Sequence, residues 1–153
     1  MIKAYRFLAY LICALVGVQA ASHAWSSAGI GKYVQDGGVI DKAAMEEGGA
    51  DFPEVLGFIV HGMNGMMLIP LVAVALLAVA FLAKFPGAVR GAAIVAALVA
   101  LQVALGMLGH GLTLLALFHG LNAIVLFTAA LLTAMRTPSA VPAGPAARVG
   151  ATV

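Results

Sequence analysis

Four long apolar runs divide the chain, at about residues 7–24, 54–83, 91–109 and 112–135, and a single long polar stretch, 26–53, separates the first two. Each run approaches or exceeds the roughly 20 residues that cross a bilayer as a helix, so the pattern predicts four membrane-spanning helices. The first run is interrupted only by Gln19, Ser22 and His23. Lys3 and Arg6 ahead of it and Ala20-Ala21-Ser22 near its end also give it the outline of a signal peptide. Its apolar part is long for a signal core, and a retained first helix is the better reading. Asp51-Phe52-Pro53-Glu54 reads as a helix start, because proline suits a first turn and acids there suit the helix dipole. Pro70, inside the second run, predicts a kink. Lys84-Phe85-Pro86-Gly87 predicts a tight turn, Gly109-His110-Gly111 a very short connection, and Arg136-Thr137-Pro138 the end of the fourth helix.

Within the polar stretch, Val39–Glu47 has the pattern of a short amphipathic helix lying at the membrane interface. The tail from Ser139 to Val153, rich in Pro, Ala and Gly, reads as disordered. The predicted organisation is one four-span unit, residues 1–136, followed by a disordered cytoplasmic tail, 137–153. With four spans, Lys3, Arg6, Lys84, Arg90, Arg136 and Arg148 all flank one side. Basic residues mark the cytoplasmic side, so both chain ends are expected inside and the acidic 26–53 connection outside.

Composition agrees with this reading. Hydrophobic residues make up 63% of the 153 and charged residues only 9%, against about 25% charged in an ordinary soluble domain. The net charge of +2, with no basic run, excludes nucleic acid as an expected partner and leaves membrane lipid as the surrounding one. Cys13 is the single cysteine, so it cannot form an internal disulfide, and it reads as a small buried apolar residue.

The candidate chemistry lies in a motif that occurs twice. His61-Gly62-Met63-Asn64-Gly65 and His119-Gly120-Leu121-Asn122-Ala123 share one pattern: His, Gly, a large apolar residue, Asn, a small residue. Positions i, i+3 and i+4 share a helix face, so His61, Asn64 and Gly65 form one stripe and His119, Asn122 and Ala123 its counterpart. The second and fourth helices run in the same direction, which sets both histidines at similar depth. The halves also match at Ala14–Gln19 and Ala97–Gln102. These features predict an all-α, antiparallel four-helix membrane bundle built from a duplicated helical hairpin, with helices two and four on a diagonal. Polar side chains in hydrocarbon are costly and mark function. Two imidazoles at matched depth on diagonal helices are placed to coordinate one haem iron from opposite faces. Gly62, Gly65, Gly120 and Ala123 would make room for the flat macrocycle. Asn64, Asn122, Gln19 and Gln102 would hydrogen-bond neighbouring helices or carbonyls. The competing reading is ordinary helix packing, with the same polar and small residues serving as interhelical glue.

His23 and His110, at the outer ends of helices one and three, read either as interfacial histidines or as groups contacting haem propionates or a second site. Trp25 and Tyr33 read as interfacial anchors. Met63, Met66, Met67 and Met107 read as flexible core filling rather than as iron ligands. Glu54, seven residues before His61, reads as a helix-start residue facing solvent; the alternative is a proton relay or a propionate contact.

The histidines on helices two and four, Gln102 with Gly106 a turn later, and His119-Gly120-Leu121-Asn122-Ala123 together resemble the haem A synthase family over about residues 5–135. That family consists of two four-helix halves, each with a histidine pair on its second and fourth helices, and the chain resembles one half. It also resembles small four-span bacterial membrane proteins with a His-x-x-Asn-Ala fourth helix. The resemblance implies a b-type haem held by His61 and His119. The residues read above as surrounding it are Gly62, Asn64, Gly65, Gln102, Gly120, Asn122, Ala123, His23 and His110, and the expected setting is a bacterial inner membrane. It does not carry over the enzyme activity: the synthase has an acid three residues before its second-helix histidine, where this chain has Phe58, and Ala116 stands at the matching place before His119. Electron transfer, redox sensing or haem handling is therefore the expected role, with a quinone or another redox partner. An accessory subunit of a larger membrane complex is the alternative. An oxidoreductase formed as an eight-helix homodimer ranks third.

Overall fold

A computed structural model describes residues 1–41 and 52–138, and among these the chain is helical with no strand. Four helices are long and apolar enough to cross a membrane: α1 (Ile2–Gln35), α2 (Val55–Ala83), α3 (Ala88–Gly109) and α4 (Thr113–Met135).

Helix α1 buries Tyr5, Ala9, Ile12, Cys13 and Val16, then Ser22, Ser26 and Gly29. These positions recur at intervals of three and four, the spacing of one helix face. The helix runs about eleven residues past the end expected from hydropathy. Residues 26–35 are polar and glycine-containing but hold no proline, and helical hydrogen bonding needs no apolar side chain. Gly29 stays helical at a contact: a Cβ there would collide with the side chain of Glu54 at the start of α2. The helix stops at Gly37, which takes φ +92. The Gly38 N–H reaches back to the Tyr33 carbonyl at 2.9 Å and the Gly37 N–H to Val34 at 3.1 Å, the paired closure a left-handed residue permits. The exposed Lys32–Asp36 pair at 2.5 Å adds little to stability. Val39–Asp41 are not helical, and the remainder of the expected 39–47 helix lies outside the described residues, as does the tail from 139.

Helix α2 contains a π-helical turn, Asn64–Leu68, between two α-helical segments. Pro70 lacks an N–H and its ring crowds the carbonyl four residues back. The wider turn just upstream shifts the hydrogen-bond register where the proline interrupts it, so the expected kink takes the form of a π turn. Lys84 and Gly87, at φ 52 and 85, then reverse the chain into α3.

Helix α1 packs against α2 and α4, and α3 packs against the same two. The shared core includes Ile12, Leu76, Val95 and Leu126, with Ala9, Ala80, Ala92, Ala130 and Ala134 where backbones approach closely. Large apolar residues such as Leu71, Phe81, Leu117 and Ile124 face outward, as suits helices whose surroundings are lipid. At one end, the Tyr5 hydroxyl donates to the Ala88 carbonyl at 2.8 Å and the Arg6 guanidinium to the Thr137 carbonyl at 2.6 Å. The start of α1, the start of α3 and the end of α4 therefore meet. At the other end, the Ser26 hydroxyl donates to the Glu54 carbonyl at 2.5 Å, tying α1 to α2.

Candidate functional site

The two motif asparagines are buried, and each reaches across to the neighbouring helix. Asn64 Nδ2 on α2 donates to the Leu15 carbonyl at 3.0 Å and to Gln19 Oε1 at 3.2 Å, both on α1. Asn122 Nδ2 on α4 donates to the Leu98 carbonyl at 3.0 Å and to Gln102 Oε1 at 2.6 Å, both on α3. A helix carbonyl has two lone pairs and can accept a second bond besides its own helical one. In an apolar interior, an amide donor spent in this way avoids the cost of an unmet polar group. Asn64 Oδ1 is buried with no partner among the described residues.

One turn earlier on each helix stands the histidine. His61 Nδ1 lies 3.1 Å from the Gln19 carbonyl and His119 Nδ1 lies 3.0 Å from the Gln102 carbonyl. A carbonyl can only accept, so each bond assigns the proton to Nδ1 and leaves a lone pair on Nε2. A backbone acceptor on one ring nitrogen is the usual outer-shell support of a metal-binding histidine. Gln102 adds a bond of its own, Nε2 to the His119 carbonyl at 3.0 Å.

The two imidazoles approach each other from α2 and α4, with ring centroids 6.1 Å apart and planes at 54°. Were a metal to bind between the two rings, His61 and His119 would be the residues to hold it, each through the Nε2 lone pair. Among the described residues no three His, Cys, Asp or Glu side chains gather to hold a metal ion.

The surroundings of the two rings differ. The His23 ring lies 5.0 Å from His61, edge to face, and 5.7 Å from Phe58, and its Nδ1 is 3.3 Å from the Ser27 hydroxyl. Beside His119, α3 instead presents Gly106, where a Cβ would lie 3.1 Å from the ring. Gly62 and Gly120 have nothing within 4 Å of an added Cβ, and Gly120 is exposed, so the open space lies at the glycines themselves. Gly65 has a different neighbour: the Gln19 amide occupies the space its Cβ would take, so this glycine serves the approach of α1. Ala123 is half-buried beside Asn122.

Other expected participants stand apart. His110 caps the end of α3, exposed and without a hydrogen bond or ring contact among the described residues. Glu54 packs against Gly29 and gives its carbonyl to Ser26, near the start of α2. Met63, Met66, Met67 and Met107 are each about 60% exposed on the outward surface. They do not fill the core as expected, because they lie on outward helix faces. Trp25 is exposed, and Tyr33 stacks on Phe52 at 5.5 Å. Sequence reasoning missed the carbonyls of Leu15, Gln19, Leu98 and Gln102 as the acceptors that fix the site. The Gln at the same place in both matched segments was the signal for them. Comparison of the chain with known family models, curated proteins and solved structures finds no match.

Proposed function

We propose that the chain is a membrane b-type haem protein, with one haem held between His61 and His119 near the acidic, outer face of an antiparallel four-helix bundle. The observation that carries this reading is the facing pair of imidazoles, each anchored through Nδ1 to a backbone carbonyl and 6.1 Å apart between centroids. When bound, haem supplies a one-electron couple, tuned by its axial ligands and its burial. The chain's own residues hold the imidazoles: Gln19 and Gln102 fix ring orientation and tautomer, while Asn64 and Asn122 lock those glutamines.

The bundle is a duplicated hairpin in this reading. The same offset of 83 residues separates Leu15 from Leu98 and Gln19 from Gln102, and 58 separates His61 from His119 and Asn64 from Asn122. Both sets of hydrogen bonds obey these offsets. In this reading both chain ends lie in the cytoplasm, which the segregation of basic residues supports, and the site lies toward the outer half of a bacterial inner membrane. Electron transfer or haem handling is the role, with a quinone or a redox protein as partner. Neither Phe58 nor Ala116 supplies the acid that synthase chemistry would need.

The test is the absorption spectrum of the purified protein, reduced minus oxidised. The wild type is expected to show Soret and α bands, lost or strongly shifted in His61→Ala and His119→Ala and partly restored by added imidazole. A colourless wild type after expression with excess haem, or bands unchanged in both variants, overturns the reading. One observation favours a second reading: every motif His and Asn already has a hydrogen bond within the protein. An accessory subunit would use them as interhelical glue alone, and would purify colourless with a partner complex.

A further inference from the structure

A second site lies at the opposite, basic end, apart from the histidines. A cavity of about 430 Å³ opens between the start of α3 and the end of α4, with Tyr5 of α1 at its back, a size within the range of small-molecule sites. Arg90 and Arg136 line it from α3 and α4. Both are exposed, and neither has a carboxylate partner among the described residues. All six acidic residues fall between Asp36 and Glu54 in the sequence, and these two stand at the other end of the helices, where α1 stops and α2 starts.

The floor of the cavity is built at Gly91. A Cβ there would lie 3.1 Å from the Tyr5 hydroxyl and 3.3 Å from the Thr133 hydroxyl, so the glycine lets both side chains converge on α3. Tyr5 is buried and held by its bond to Ala88 and its edge-to-face contact with Phe85 at 5.2 Å. The Thr133 hydroxyl makes no hydrogen bond among the described residues. Arg6, bonded to the Thr137 carbonyl, holds the end of α4 beside Arg136. Below the arginines the lining turns apolar, with Ile94, Ala129 and Leu132.

We propose that this notch binds an anionic phospholipid, its phosphate between Arg90 and Arg136 and an acyl chain along Ile94, Ala129 and Leu132. Two guanidiniums supply charge-assisted, two-pronged donors to phosphate oxygens. Basic pockets between membrane helices on the basic side take such headgroups. The apolar continuation of the cavity selects a lipid over a free anion, because a soluble phosphate leaves that lining uncovered.

The test uses the full chain in detergent, by native mass spectrometry and thermal melting, with phosphatidylglycerol, phosphatidylcholine or glycerol 3-phosphate added. Phosphatidylglycerol is expected to form retained adducts and to raise the melting temperature, and the other two to do neither. Arg90→Gln/Arg136→Gln is expected to bind phosphatidylglycerol roughly 30-fold more weakly, at about a factor of five for each basic contact. Lys3→Gln/Lys84→Gln removes the same charge from the same end and is expected to bind as the wild type does. If the double arginine variant does not fold, Thr133→Val and the single arginine variants are read in its place, each with a partial loss. Equal binding of the two lipids, an equal loss in the lysine variant, or an equal shift from glycerol 3-phosphate overturns the proposal.

Discussion

The hydrogen-bonded cluster of Asn122, Gln102 and His119 makes a quantitative prediction. Asn122→Ala removes two donated bonds, to the Leu98 carbonyl and to Gln102 Oε1. Gln102→Ala also removes two, the shared one and the Gln102 Nε2 bond to the His119 carbonyl. Interhelical side-chain hydrogen bonds within a bilayer contribute about 0.6 kcal/mol each, and at most about 1.7. Each single substitution is therefore expected to cost about 1.2 kcal/mol from hydrogen bonds alone. The double variant loses three bonds rather than four, so the pair should be coupled by about 0.6–1.7 kcal/mol. The assay is equilibrium unfolding in mixed micelles with increasing dodecyl sulfate, followed by circular dichroism and by the fluorescence of Trp25, the only tryptophan. The first hairpin serves as an internal comparison. Among the described residues, Gln19 Nε2 makes no counterpart of the bond to the histidine carbonyl, and Asn64 Oδ1 is buried without a partner. Asn64→Ala removes that unmet acceptor, so it should cost less than Asn122→Ala. Single losses at Asn122 and Gln102 that add to within about 0.3 kcal/mol in the double variant would refute the shared bond.

Gly57→Ala should destabilise the protein by about 1–3 kcal/mol, because its Cβ would strike the Ser26 hydroxyl and the Ser22 carbonyl, which is backbone and cannot swing aside. Gly62→Ala and Gly120→Ala meet nothing within 4 Å and should leave the same unfolding midpoint unchanged or raise it, since alanine is better by up to about 1 kcal/mol in a helix. Tyr5→Phe should cost about 0.5–1.5 kcal/mol in the unfolding assay through loss of the bond to Ala88. Cys13, buried with its thiol 3.7 Å from the Phe127 carbonyl, should resist maleimide in the folded protein and react fully once unfolded.

The number and limits of α2, α3 and α4 were legible because membrane helices are written in long apolar runs, and because proline, glycine and charge punctuate them. The faces carrying His61 with Asn64 and His119 with Asn122 followed from helical periodicity alone. The extent of α1 was not legible, since the polar helix from Ser26 to Gln35 packs on the start of α2 through Ser26 and Gly29 and is not marked by hydropathy. The same holds for the glycines. Their identical letter marks open space at Gly62 and Gly120, a seat for the Gln19 amide at Gly65, a seat for a histidine ring at Gly106 and a helix crossing at Gly57.

What the sequence determined by itself is which residues are too polar to face lipid and on which stripe they stand. Tertiary structure alone decided what they meet. The repeated glutamine marks the neighbourhood, but every residue carries the same carbonyl, so the chain alone does not single out the four that receive Asn64, Asn122, His61 and His119. They are selected by the crossing of α1 over α2 and of α3 over α4. The same crossings bring His23 against His61 and set Gly106 against His119, an asymmetry that depends on distances between helices far apart in the chain.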